Sequence, residues 1–412
     1  MSVRMKPSTK PPSTTRLATD SAAFPAILAG LIALLSMSID STLPALPQLQ
    51  RDFDATPAEV QLTLTAFLLG VAAGQLFCGP LSDRYGRRPV FLASLAAFIT
   101  TAMMCAMAGS IGTLSAWRFV MGAVAVTGSV LSRAVVRDVH GGLQAARLMS
   151  RVMVIFGISP ILAPLIGGVL VSTGGWRAIY WYLAGYGLLA LAIVWMVLPE
   201  TAPKERARLS PVDLVRNFGR LLSHRGYRGP MLVSVASQCG IYAFVTNSSF
   251  VAATVLGYSP WQYAGLFSFT MFGHIIGAQL GARMVVKSGI RRILALGAAL
   301  GCIGGLSMAV LAWAGVNSFA AIGVPMLLYL ISAGLVIPSA QAAALTPFPQ
   351  IAGAASSLQL MIQLLLGAGL GVVIAAAFDG TTRPMATAIG LCGVALLLLE
   401  RMASRWGVLR IH

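Results

Sequence analysis

Long apolar runs broken by short polar stretches set the pattern of the chain. Twelve runs are long enough to span a bilayer, which takes about 20 predominantly apolar residues. They cover 23–46, 60–79, 89–108, 113–135, 149–171, 177–198, 230–253, 262–286, 292–314, 318–343, 352–377 and 384–404. Runs of this length predict helices, because hydrocarbon offers a backbone group no partner outside its own segment. The short alternating strands of a membrane β-barrel are a different pattern. The longest polar interior stretch, Glu200 to Gly229, divides the runs into six and six. The expected architecture is an all-α membrane protein of 12 transmembrane helices in two six-helix halves. Residues 1–22 are read as a disordered tail, 23–199 as the first bundle, 200–229 as a linker loop and 230–412 as the second bundle.

Composition agrees with this. Hydrophobic residues make up 57% of the 412 and charged residues 10%, with mean hydropathy +0.82, whereas soluble domains carry about 25% charge. The net charge of +17 is informative through its placement. Of the 29 Lys and Arg, 25 fall on the side of the N-terminus, leaving Arg51, Arg118, Arg177 and Arg383. By the positive-inside rule both termini and the linker are cytoplasmic. The basic excess is therefore a topology signal and does not point to nucleic acid. The apolar run after residue 23 is a full membrane helix and not a cleavable signal.

Cofactor and metal signals are missing from the sequence. Cys78, Cys105, Cys239, Cys302 and Cys392 stand singly in apolar runs, and the four histidines are dispersed. No phosphate-binding loop suggests direct use of ATP, so the proton gradient is the expected energy source. A membrane-embedded enzyme or sensor would need a catalytic cluster or an output domain, and the sequence offers neither.

Glu400 falls at the cytoplasmic end of the last span, and Asp40 is the one acidic residue set within a predicted span away from its cytoplasmic end. A carboxylate there costs about 2.5–3.5 kcal/mol on insertion scales, so it faces the bundle interior or a cavity. Burial favours the neutral form of such a group, as a proton carrier requires. A structural carboxylate at the helix end is the competing reading, since Pro44 and Pro47 follow closely. Arg118, at similar depth in the fourth helix, is the natural partner for Asp40. The competing reading is an interfacial arginine that snorkels beside Trp117.

The run Gly79-Pro80-Leu81-Ser82-Asp83-Arg84-Tyr85-Gly86-Arg87-Arg88-Pro89 puts one carboxylate, three arginines and two glycines between two spans. It must form a tight polar loop at the membrane surface. Its G-x-L-x-D-R-x-G-R-R spacing resembles the signature loop between helices 2 and 3 of the major facilitator superfamily. A weak echo, Gly281-Ala282-Arg283 … Gly289-Ile290-Arg291-Arg292, occupies the matching place in the second half. Paired halves with a site between them are the physical basis of alternating access.

Further matches narrow the resemblance. Arg118, Gly122 and Gly128 are similar to the superfamily pattern on helix 4. Gly157, Pro160, Pro164, Gly167 and Gly168 resemble the antiporter motif of helix 5, where two prolines on one face bend the helix. Leu43-Pro44-Ala45-Leu46-Pro47, Val136-Arg137-Asp138 and the stretch from Phe348 to Leu358 resemble the bicyclomycin/chloramphenicol-resistance (Bcr/CflA) branch. The resemblance runs from residue 23 onward. It implies proton-driven export of phenicol- or bicyclomycin-type antibiotics and other small hydrophobic drugs across the inner membrane, by a chain able to work as a monomer. It further implies that Arg118 serves proton movement. Asp83 is expected beside the start of helix 11, with Arg84, Arg87 and Arg88 latching the halves on the cytoplasmic side. Ile32 stands where some multidrug relatives carry a second acid, which argues against dicationic substrates.

Pocket candidates in the second half are Tyr242, Asn247, His274, Gln279, Gln359 and Gln363, although such residues more often bond helix to helix. Met103, Met104 and Met107 read as packing. Export of a normal metabolite, such as a sugar or amino acid, is the alternative function.

Overall fold

The computed structural model describes residues 21, 23–202 and 211–405. The tail expected over residues 1–22 therefore lies almost wholly outside the described residues, as does part of the linker. Among the described residues there is no strand. The chain forms α1 (Ala23–Asp40), a 3-10 turn (Leu43–Ala45), α2 (Leu46–Asp52), α3 (Pro57–Tyr85), α4 (Arg87–Ala106), α5 (Ile111–Val139) and α6 (Gly142–Phe156). There follow α7 (Ser159–Val197), α8 (Pro211–Ser223), α9 (Arg225–Thr254), α10 (Pro260–Trp313) and α11 (Phe319–Leu345). The chain closes with α12 (Ala352–Ala376) and α13 (Arg383–Arg405). Ten helical segments among the described residues are long and apolar enough to cross a membrane. Two long helices are interrupted, α7 at Gly175 and α10 at Gly289, where the backbone leaves helical geometry.

Several expected boundaries move, and proline explains two of them. The run 23–46 does not form one helix. α1 stops at Asp40, because Pro44 has no N–H to offer the Asp40 carbonyl. The run 149–171 is likewise split. α6 ends at Phe156, the residue whose carbonyl Pro160 would have to serve. In contrast, α3 continues to Tyr85, so the expected polar loop is reduced to Gly86. The linker contains a helix, α8.

The sequence echo between the halves recurs in the backbone. Gly86 has φ 101°, ψ 157° and Gly289 has φ 72°, ψ 158°, a region that a side chain at these positions would make strained. The helix seams repeat as well. A Cβ on Gly122 of α5 would lie 2.1 Å from the Phe67 carbonyl oxygen of α3, and one on Gly70 would lie 1.9 Å from that of Phe119. In the second half Gly273 meets the Leu327 carbonyl and Gly334 that of His274 in the same reciprocal way. Lipid tails are as apolar as leucine, so these seams are held by close van der Waals contact and depend on small residues.

The halves meet at the end of the bundle that carries the 3-10 turn and α2. Ser268 Oγ on α10 donates to the Ile161 carbonyl on α7 at 2.8 Å. Gly168 sits against Pro260, Trp261 and Ala264, and Gln61 of α3 faces Gly371 of α12.

The seam makes a stability prediction. Gly122→Ala forces α3 away from α5 and costs roughly 1–3 kcal/mol through overpacking, so the melting temperature in detergent drops by several degrees. Gly185→Ala, with nothing within 4 Å of its Cβ, leaves the melting temperature unchanged. Equal melting curves for the two variants rule out the seam as a stability determinant.

Candidate functional site

Asp40 ends α1 half-buried, and its Oδ2 accepts a 2.6 Å hydrogen bond from Ser36 Oγ, one turn earlier. Tyr242 on α9 and Tyr263 on α10 lie within electrostatic reach of it. Groups of both halves are thus within electrostatic range of this carboxylate.

Arg118 is fully buried in α5. Its Nη1 donates to Thr42 Oγ1 at 3.3 Å and to Tyr180 OH at 3.2 Å. Nη2 donates to Thr42 Oγ1 at 3.2 Å and to the Ser38 carbonyl at 3.5 Å. The guanidinium stands 5.4 Å over the Phe67 ring. The expected side-chain pairing of Arg118 with Asp40 is not made, for a geometric reason. Residues 38 and 42 are four apart and share one face of the chain. Asp40 lies two residues from each, about 200° round at 100° per residue. Arg118 grips one side of the α1 terminus while Asp40 points from the other.

The glycines of α7 complete this neighbourhood. A Cβ on Gly167 would strike the Ser41 carbonyl at 2.0 Å, and one on Gly168 would press on Pro260 and Ala264 at 3.0 Å. Successive glycines let α7 lie against the end of α1 on one side and α10 on the other. Pro160 and Pro164 stand in its first turns, and Gly157 follows the end of α6.

At the opposite end Arg87 is buried and gathers three partners. Its Nε donates to Asp138 Oδ2 at 2.9 Å, and its Nη1 donates to Ser82 Oγ and to Asp83 Oδ1. Glu200 sits on the N-terminus of α4, accepting from Arg87 N at 2.8 Å and Arg88 N at 3.2 Å. A helix N-terminus favours such a carboxylate. Arg88 donates to the Trp195 carbonyl at 2.7 Å, and Arg84 stands over the Tyr85 ring. Gly86 leaves the space that Glu200 fills, since a Cβ there would lie 2.6 Å from its carboxylate oxygen. Gly79 has open space around it. These residues are brought together within the first half. The contacts expected to run to the start of helix 11 and across the halves are made instead to α4, α5 and the end of α7.

The second-half candidates divide. Tyr242 is within electrostatic reach of Asp40 and packs on Gly367. Asn247 is buried and bonds within α9, to the Ala243 carbonyl and Thr246 Oγ1. Gln363 donates to Ser234 Oγ at 2.9 Å, joining α12 to α9. Buried atoms of His274 (Nδ1) and Gln359 (Oε1) have no hydrogen-bond partner, and Gln279 is exposed.

Sequence reasoning missed Thr42, Tyr180, Glu200 and Glu400. Glu400 is buried in α13 and accepts from Ser404 Oγ at 2.6 Å. An acid directly after the last apolar run of a basic half was the available signal for Glu200.

The Arg87 cluster predicts an ordered set of variants. Arg87→Ala leaves two carboxylates of low exposure facing each other and costs about 3–5 kcal/mol, the range for a broken buried pair. Arg84→Ala, on an exposed side chain, stays within about 0.5 kcal/mol. Adding Asp138→Asn to Arg87→Ala restores part of the loss. Thermal melts of the purified variants check this, and an Arg84→Ala effect as large as that of Arg87→Ala overturns it.

Comparison with known proteins places this geometry. Residues 26–372 match the model of the Major Facilitator Superfamily. The chain is 34% identical over 373 residues to a bicyclomycin resistance protein homolog of Haemophilus influenzae, covering 90% of this chain and 93% of that one. It is 31% identical to multidrug resistance protein D of Escherichia coli, covering 80% and 82%. Among solved structures, a D-xylose-proton symporter superposes with a TM-score of 0.72 at 16% identity, covering 93% of this chain and 97% of that one. That likeness speaks for the fold alone. The chain belongs to the major facilitator superfamily, in the bicyclomycin- and multidrug-resistance branch that its signature loop and helix 5 resemble.

Proposed function

We propose that this multi-pass membrane protein is a proton-coupled secondary transporter that exports small drug-like compounds by alternating access. The observation that carries the proposal is the position of Asp40. It is a half-buried carboxylate on the first half, within electrostatic reach of two tyrosines of the second. The resistance functions in the names of the bicyclomycin and multidrug relatives support export of compounds of that kind.

The full reading has twelve spans. Counting α7 and α10 as two membrane segments each, divided at Gly175 and Gly289, brings ten apolar segments to twelve. The placement of 25 of the 29 Lys and Arg then puts both termini in the cytoplasm and the 3-10 turn outside. In this orientation the halves meet on the outer side, and the protein lies in the inner membrane as a monomer with lipid around it. Gly79, Asp83, Arg84, Gly86, Arg87 and Arg88 form the cytoplasmic gate region. Tyr242, Asn247, His274, Gln359 and Gln363 border the substrate path.

The exchange runs as follows. Drug enters from the cytoplasm or inner leaflet while Asp40 is protonated or drug-bound. The halves rock, drug leaves, and Asp40 takes a proton from outside for the return. Arg118 fixes the α1 terminus through Ser38 and Thr42 without occupying the carboxylate. The electrical part of the gradient supplies about 2.3 kcal/mol per charge per 100 mV. Asp40 as the single carrier gives one proton per cycle.

The test is drug-driven proton movement in proteoliposomes over a panel of antibiotics and dyes. In wild type a neutral antibiotic dissipates an imposed pH gradient, and Asp40→Asn lowers this rate at least tenfold while drug binding persists. Wild-type protein that moves no protons with any panel compound favours the metabolite alternative. An Asp40→Asn variant with unchanged pH dependence makes Asp40 structural and moves the search to Asp138 and His274.

A further inference from the structure

Away from the seam, α12 and α13 part and leave a groove of about 630 Å³. Val373 of α12 and Leu391 of α13 are exposed apolar walls of it, so it opens on the membrane side of the bundle. Leu370 and Cys392 lie deeper and are half-buried. Along α13 the groove runs from Arg383 to Ala395. At 1.5 Å per residue that is about 18 Å, against about 15 Å for half of the hydrocarbon core. Its length is the depth of one leaflet.

The mouth of the groove is charged, and its charges are held in place. The Arg383 guanidinium stands 5.1 Å over the Trp313 ring, and Trp313 Nε1 donates to Thr387 Oγ1 at 3.0 Å. A tryptophan is favoured at headgroup level. Among the described residues the guanidinium has no hydrogen-bond or ion-pair partner. Asp379 lines the same mouth. Its Oδ1 accepts from Thr381 N at 3.0 Å and from Thr381 Oγ1 at 2.6 Å, while Arg383 N donates to Thr381 Oγ1 at 3.2 Å. The Thr381 hydroxyl holds the Asp379 carboxyl below the usual carboxylate range, so it is charged at neutral pH. A cation and an anion thus flank one apolar slot.

We infer that this groove is a binding site for one phospholipid whose headgroup carries both a phosphate and a primary ammonium. Arg383 donates to the phosphate, whose oxygens a planar guanidinium can meet in pairs. The Asp379 carboxylate accepts from the ammonium through Oδ2, which Thr381 leaves unbonded. One acyl chain lies between Val373 and Leu391. An anionic headgroup without the ammonium meets repulsion from Asp379, and a quaternary ammonium has no N–H to donate to it. The mouth is at the end where the halves meet, since Gly371 of α12 faces Gln61 there. In the proposed orientation the lipid therefore belongs to the outer leaflet. The inference uses the placement of the chain in a membrane and is independent of its transport cycle.

The test titrates phosphatidylethanolamine, phosphatidylcholine and phosphatidylglycerol of one acyl composition onto the delipidated full chain in detergent. Native mass spectrometry counts the bound lipids. Wild type holds one phosphatidylethanolamine at least fivefold more tightly than either of the others. Asp379→Asn brings the three lipids within about twofold of one another. Arg383→Gln weakens phosphatidylethanolamine at least fivefold. Leu391→Trp fills the slot with both charges in place, and loses as much. All three substitutions fall on exposed side chains, and melting curves check that the variants fold. The inference is overturned if wild type binds the three lipids equally, which is ordinary bilayer contact, or if Arg383→Gln and Leu391→Trp both bind like wild type. A neutral antibiotic that displaces all three lipids alike makes the groove a drug site and overturns it as well. None of these outcomes depends on proton exchange, so the drug-driven assay judges the antiporter reading separately.

Discussion

Water is absent from the hydrocarbon around this chain, so each buried charge takes its position from partners the protein supplies. Arg118 shows what that means. It is wholly buried, and its named partners are two hydroxyls and a carbonyl, all neutral oxygens. A carboxylate beside it would have satisfied it more strongly, but a direct pair holds both groups in their charged forms. Setting Arg118 on the 38/42 face and Asp40 on the other leaves the carboxylate outside the arginine's hydrogen bonds, with Ser36 as its partner. In the proposed mechanism that separation is what allows Asp40 to gain and lose a proton.

The other end of the first half follows the opposite policy. Asp83 and Asp138 are both bonded to Arg87, and Glu200 caps α4. These contacts join α3, α4, α5 and the end of α7 into one unit. With the glycine seams of Gly70 and Gly122, they make the half suited to moving as a rigid body. Between the halves the named contacts are of another kind: a serine on a carbonyl, a glycine on a helix end and an amide on a glycine. Such contacts separate without stranding an ion, as rocking requires.

Most of the architecture was legible because apolar length is a strong signal and hydrocarbon tolerates few exceptions. Asp40 stood out on the same ground. The helix ends at Asp40 and Phe156 were also legible in principle, since Pro44 and Pro160 remove the donors those carbonyls need. Counting run length overrode that rule. The partners of Arg118 were beyond a reading of depth alone, because depth along a helix does not give the face. Arg87 and Glu200 meet across 113 residues of chain, and no local pattern joins them. Gln279 shows the same limit in reverse: a polar residue in a span, but an exposed one.

The two halves share a scaffold and divide the chemistry. Gly86 and Gly289 turn the chain alike, and the reciprocal glycine seams recur. The repeated loop of the second half nevertheless lacks the aspartate. Within electrostatic reach of Asp40 that half has Tyr242 and Tyr263, with serines, an asparagine and a threonine on the same helices. Neutral, hydrogen-bonding groups near a single carboxylate suit an uncharged substrate better than a dication, which would need a second fixed negative charge. Ile32, where that second charge would stand in some multidrug relatives, is buried in the core. In the proposed exchange, then, the first half carries the proton and the second supplies a surface whose affinity for drug depends on whether Asp40 is charged.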